Sequence, residues 1–215
     1  MAPKVFGIGI HRTGSTTLAE CLRILGYRHA PYAGELLPEV LAGRSEAALE
    51  RIAAHDSFSD WPWSLLYRQI EQRHPDARFI LPTRKDSDTW YASLCGHAAR
   101  TGPTTERTLI YGHPEPQGRR HEYGRFYEQH NRDVLSHFAG RPEALLPVCW
   151  ETGSGWAQLC AFLDKDVPAG PFPHARQGIS SAPRAARRPA PSGARSAAAS
   201  AKAAVPGSAE REMSA

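Results

Sequence analysis

The sequence predicts an α/β chain, a three-layer sandwich around a central parallel sheet. Three short apolar runs, Lys4–Ile10, Ala77–Pro82 and Ala144–Trp150, have the length and composition of strands buried on both faces. Segments with helical periodicity separate them, and strands alternating with helices imply parallel pairing, with ligands at the strand C-terminal ends. The first run ends in a glycine-containing turn that opens directly into a helix, which makes an anion site from free backbone N–H groups and the positive helix end.

The elements follow in order. Ser15–Gly26 reads as a helix with Leu18, Cys21, Leu22 and Leu25 on one face and Gly26 as its stop. Gly34–Leu41 and Ser45–His55 read as two short helices, and Trp63–His74 as a longer one. A further helix starts near Asp86, Thr104–Tyr111 gives a helical turn, and Gly112–Gly118 is a Pro/Gly-rich loop. Glu122–Phe138 is amphipathic, with Phe126, His130, Val134 and Phe138 at four-residue steps, an ordinary core face. Pro147 argues that the third strand is an edge or ends irregularly. Gly153–Leu163 closes the set as a helix.

Composition bounds the function. The net charge of +4 misleads, because seven Arg/Lys and two Glu lie beyond residue 175; the tail is +5 and the rest −1. Residues 1–178 are expected to form one domain and 179–215 a disordered Ala/Ser/Pro/Arg-rich tail, since that stretch has too little apolar surface to order itself. A near-neutral domain with a solvated basic extension gives no reason to expect nucleic acid as partner. No apolar run is long enough for a transmembrane segment, and the first strand is too short for a signal peptide. Cys21, Cys95, Cys149 and Cys160 are scattered without a C-x-x-C pair, three of them in apolar contexts, and a reducing cytoplasmic location is the simplest reading.

The chemistry concentrates in the turn after the first strand. Gly9 and Gly14 are separated by four residues, the spacing of a Walker A loop. Ser15 stands where that loop has its lysine, Thr16 follows, and the nearest cation is Arg12, inside the turn. The site is suited to phosphate or sulfate, with its charge placed differently from an ATPase or GTPase.

Arg12-Thr13-Gly14-Ser15-Thr16, followed by Thr17, resembles the 5′-phosphosulfate loop of sulfotransferases that use 3′-phosphoadenosine 5′-phosphosulfate (PAPS). The resemblance extends over about Lys4–His174: Tyr127–Val134, Gly155-Trp156 with Leu159-Cys160 and Phe162-Leu163, and Pro171-Phe172-Pro173-His174 look like a compact branch found in bacteria and fungi. It implies a P-loop NTPase-like sulfotransferase fold, PAPS as donor cosubstrate and no metal, because the leaving group has no extended polyphosphate to neutralise. It also implies that a cation after the second strand, Arg84 or Lys85, acts with Ser93 on the donor's 3′-phosphate. The family's eight-residue step back from Ser93 lands on Lys85, while Arg84 offers a bidentate fork.

Arg176-Gln177-Gly178 echoes the family's later 3′-phosphate clamp. Ser59-Asp60-Trp61-Pro62 resembles the segment that carries the family's general base, with Asp60 in the place of a histidine. Asp60 is thus either the base or a cap for the helix starting near Pro62, and Asp56, His11 and His97 stand in reserve.

The expected reaction moves a sulfuryl group to a hydroxyl or amine on a small-molecule or glycan acceptor. Trp61, Trp63, Tyr91 and Tyr111 are candidate acceptor-pocket residues, and Gly96–Arg120 is a candidate lid. Two other readings remain open, a kinase-like P-loop phosphotransferase and a non-catalytic anion- or nucleotide-binding module.

Overall fold

A computed structural model describes residues 3–173. The expected tail and the Arg176-Gln177-Gly178 motif lie outside them. The centre is a four-stranded, wholly parallel sheet in the order β2-β1-β3-β4, with β1 at Val5–Gly7, β2 at Ser57–Ser59, β3 at Arg78–Pro82 and β4 at Leu145–Val148. The register pairs Phe6 with Phe58 and Phe79, and Ile80 with Leu146.

The helices are α1 (Ser15–Ile24), α2 (Leu37–Leu41), α3 (Glu46–Arg51), α4 (Trp63–Arg73), α5 (Ser87–Thr101), α6 (Thr105–Tyr111), α7 (Arg120–His137) and α8 (Trp156–Leu163). Side-chain alternation along the strands sorts them into layers. Val5, Ile80 and Val148 face α1 and α8 through Leu18, Leu22, Leu159 and Leu163. Phe6, Phe79 and Leu81 face the other way, onto Trp63 and Leu66 of α4 and Val134 of α7. A third apolar cluster of Ile10, Trp61, Trp90, Leu94, Tyr123 and Tyr127 joins α5 and α7 to the segments that follow β1 and β2.

The structure corrects several expectations. The sequence predicts three strands, and four are present among the described residues. β2 has only three residues and a Ser-Phe-Ser pattern, so it carries no apolar run. Its two serines are bonded to the His29 ring, Ser57 Oγ at 2.9 Å and Ser59 Oγ at 3.1 Å, and Phe58 stacks on Phe6 at 4.8 Å. β1 ends at Gly7 rather than Ile10 because the chain turns away into the glycine-framed loop. The Gly96–Arg120 segment is mostly helical: α5 continues to Thr101, and Thr104 caps α6 by accepting from the Arg107 amide. Pro147 lies on an edge strand, as its missing N–H requires. All four cysteines are free thiols; Cys21 and Cys160 are buried, and Cys95 and Cys149 are half-buried. Among the described residues no helix is long and apolar enough to cross a membrane.

Candidate active site

The loop from Ile8 to Ser15 is built by its carbonyls. Ile8 O accepts from His130 Nε2 at 2.7 Å, Gly9 O from Ser64 Oγ at 2.9 Å and Ile10 O from Thr13 Oγ1 at 2.6 Å. His11 O accepts from Trp90 Nε1 at 3.0 Å, and Gly14 O from Trp150 Nε1 at 3.3 Å. With these oxygens engaged by the protein, the loop meets the first requirement of an anion cradle.

Two glycines are sterically required. A Cβ on Gly9 would stand 2.3 Å from Pro82 O, and one on Gly14 would stand 2.4 Å from the Trp150 ring. Gly14 also has φ 104, and Arg12 adopts φ 71, a left-handed conformation uncommon outside glycine. Strain at a non-glycine residue is characteristic of functional loops.

A cleft of about 610 Å³ opens above this loop, at the C-terminal ends of β1 and β3. The lining includes Arg12, Gly14, Ser15, Thr16 and Thr17 from the loop, Asp60 and Trp61 after β2, and Arg84 after β3. Thr13 lies under the loop, fully buried. Ser93, on α5, meets the loop through the Arg12 guanidinium, which donates to its Oγ at 3.2 and 3.4 Å. Arg84 lines the cleft and pairs with Glu151 at 3.1 Å; Lys85 is exposed and is not among the lining residues. The Arg84 amide donates to Tyr127 Oη at 3.0 Å, which fixes the chain at the end of β3.

Asp60 is the second non-glycine residue of the site in the left-handed region, at φ 69. Its Oδ2 accepts from Ser15 Oγ at 2.9 Å and its Oδ1 from the Trp61 amide at 3.0 Å. Burial raises its pKa above the usual carboxylate value, while the Ser15 and Trp61 donors and the charge of Arg12 pull the other way. The helix-cap alternative fails, since α4 begins at Trp63 and has no side-chain cap.

The reserves separate clearly. Asp56 sits at the opposite end of β2, held by Arg28 at 2.9 and 3.0 Å, and this pairing lowers its pKa to about 2. His11 lines the cleft, but its Nδ1 accepts from Trp61 Nε1 at 3.2 Å. An indole can only donate, so the proton of the neutral ring sits on Nε2 and no nitrogen is left to act as a base. Burial first, then the charges of His97, Arg12 and Arg107, push the His11 pKa down to about 3. His97 lines the cleft from α5.

Of the candidate aromatic residues, Trp61 lines the cleft. Tyr111 lies just behind it, with its hydroxyl 3.2 Å from His11 Nδ1. Trp63 belongs to the core under Phe6, and Tyr91 Oη donates to the Pro116 carbonyl. Sequence reasoning missed Ser64, Trp90, His130, Trp150, Glu151 and Arg107. They come from distant elements and match no local motif, although the His130 step on α7 was visible as a packing face. Among the described residues no group of three or more His, Cys, Asp or Glu side chains is arranged to hold a metal ion.

No curated protein matches this chain. Solved structures similar to it include deoxyadenosine kinase from M. mycoides with products dCMP and a flexible dCDP bound, at TM-score 0.41 and 14% identity over 69% of this chain and 91% of that one. The same kinase with bound dATP has TM-score 0.39 and 12% identity over the same shares. A family model described as a sulfotransferase domain matches residues 4–116 and 106–180, nearly the whole chain ahead of its basic tail. With the parallel sheet, the glycine-framed loop and the cleft above it, that match identifies the chain as a member of the sulfotransferase family with a P-loop NTPase-like α/β fold.

Proposed function

We propose that this sulfotransferase takes its sulfuryl group from PAPS and passes it to a hydroxyl or amine of a small-molecule or glycan acceptor. The observation that carries the reading is the Ser15–Asp60 hydrogen bond, 2.9 Å long, which joins a carboxylate of raised pKa to the anion loop within one cleft. Donor and base are then neighbours, as an in-line displacement needs.

In this reading the amides of residues 13–17, the hydroxyls of Thr16 and Thr17, and the Arg12 guanidinium bind the 5′-phosphosulfate, while the Ser15 hydroxyl gives its one hydrogen to Asp60. They stabilise charge on the sulfuryl oxygens and on the bridging oxygen as it leaves. Arg84, with Ser93, binds the 3′-phosphate. Arg84 is favoured over Lys85 because it lines the cleft and because its buried Nε has no hydrogen-bond partner among the described residues, an unused donor that suits an oxyanion. Asp60 takes the acceptor proton as the new O–S or N–S bond forms. The sulfur–oxygen bond to the 5′-phosphate breaks, and 3′-phosphoadenosine 5′-phosphate (PAP) departs. A carboxylate raised by burial is a better base than one at its reference value.

Calorimetric titration of PAP without magnesium tests the donor assignment. Binding that Arg12→Ala weakens strongly is the expected result. No binding, or binding of ATP with Mg²⁺ alone, would turn the reading toward a phosphotransferase. Binding without transfer to any acceptor would leave a nucleotide-binding module.

A further inference from the structure

We propose that Glu151 is an internal competitor for the 3′-phosphate: its carboxylate and the donor's phosphate claim the same guanidinium, so Glu151 weakens nucleotide binding and speeds product release. The proposal rests on the assignment of Arg84 to that phosphate.

The geometry of the pair is unusual in one respect. The side-on face of an arginine presents the Nε and Nη2 hydrogens in parallel, the fork that receives two oxygens of one anion. Here Glu151 Oε1 lies 3.1 Å from Arg84 Nη2, while Nε is buried and has no hydrogen-bond partner among the described residues. The carboxylate sits beside Nη2 as a charge pair and leaves the Nε side of the fork unfilled. Its other oxygen, Oε2, accepts from the Lys85 amide at 3.0 Å. Glu151 is thus stretched between a main-chain donor and one arm of the guanidinium, and it cannot straddle the fork without giving up the amide.

A phosphate faces no such restriction. Seated on Nε and Nη2 together, it satisfies the orphaned donor and carries more charge than the carboxylate. Seating it requires Glu151 to leave Nη2, because two anions on one guanidinium arm repel each other. The side chains are 26% and 29% exposed, so water reaches the pair, and no hydrogen bond between them has to break when it opens. Glu151 lies on the 3-10 turn Trp150–Thr152, which also holds the loop through the Trp150–Gly14 bond. When PAP leaves, the carboxylate is already tethered beside Arg84 to take its place.

The effect is confined to nucleotides with a 3′-phosphate, which provides the control. PAP and adenosine 5′-monophosphate are titrated calorimetrically into wild type, Glu151→Gln, Glu151→Ala and Arg84→Gln, with stopped-flow displacement for the dissociation rate. Both Glu151 variants are expected to bind PAP about fivefold more tightly, mainly through slower dissociation. The monophosphate should stay within about twofold. Unchanged or weaker PAP binding in both variants, with Arg84→Gln still weakening it, overturns the proposal and makes Glu151 a residue that merely orients Arg84. If PAP binds wild type no better than the monophosphate and Arg84→Gln changes nothing, the Arg84 assignment itself fails and takes this proposal with it.

Discussion

Replacing His11 by Gln should make the protein markedly less sensitive to acid. The folded chain holds His11 neutral, with its pKa pushed down to about 3, whereas the unfolded chain protonates it near the ordinary imidazole value of 6.5. The folded-state value is the lower one, so this group's contribution to stability is present above the unfolded pKa and is lost as pH falls through the window between them. The slope there is about 1.36 kcal/mol per pH unit, so moving from pH 7.5 to 5 costs about 2 kcal/mol through this residue alone.

His29, lowered to about 4 chiefly by burial, has the same sign, and its contribution over that interval is also about 2 kcal/mol. Asp60, with a raised pKa, works in the opposite direction and is common to both proteins, so it cancels in the comparison. Against a typical stability of about 5–15 kcal/mol these are large contributions. Glutamine keeps an oxygen for Trp61 Nε1 and cannot titrate. Urea unfolding of wild type and His11→Gln at pH 7.5 and 5 measures the difference. The acid-induced loss should shrink by about 2 kcal/mol in the variant. A loss equal in the two proteins would mean that His11 titrates near its ordinary value, and the reading that burial holds it neutral would fall.

Other outcomes follow from the same geometry. Asp60→Asn should lower the transfer rate by about 10²–10⁴-fold while PAP affinity stays within a few fold; a rate near wild type would remove Asp60 as the base. The same variant should be more stable than wild type at pH 8, because burial penalises the charged carboxylate and that penalty grows as pH rises through its folded pKa. Equal or lower stability in denaturant titrations would contradict it. Arg12→Ala should weaken PAP binding by about 10- to 100-fold, the weight of a charge-assisted contact, as read by calorimetry. Gly14→Ala forces a side chain into a left-handed backbone against Trp150, and should cost about 1–3 kcal/mol of stability and impair PAP binding. An unchanged thermal midpoint would refute the role of that close approach.

The glycine-framed loop was legible in the sequence because strand, glycines and helix start occupy one short stretch and obey local rules. The Asp86 cap of α5, which accepts from the Thr89 amide at 2.6 Å, was legible for the same reason. β2 was not, since a three-residue Ser-Phe-Ser strand has neither length nor apolar pattern and depends on His29 from another segment. The choice between Arg84 and Lys85 also escaped sequence reading. Which of two adjacent cations faces a cleft is set by Tyr127 and Glu151, 43 and 66 residues away. Asp60 is singled out in the sequence by a resemblance alone, and its contact with Ser15 spans 45 residues and belongs to the fold.

Helix α7 has a consequence for how this site can change. His130 grips the carbonyl of Ile8 and Tyr127 grips the amide of Arg84, one turn apart on a single rigid rod. The rod acts as a gauge block between the glycine-framed loop and Arg84, the groups proposed for the two ends of the donor. Any tilt or slide of α7 moves both grips together, so the spacing survives while the pair drifts as a unit. Evolution or engineering toward a shorter or longer donor would gain little from remodelling α7. It would have to work on the Trp150–Thr152 turn, which reaches Gly14 and Arg84 from outside the rod and can be adjusted without disturbing it.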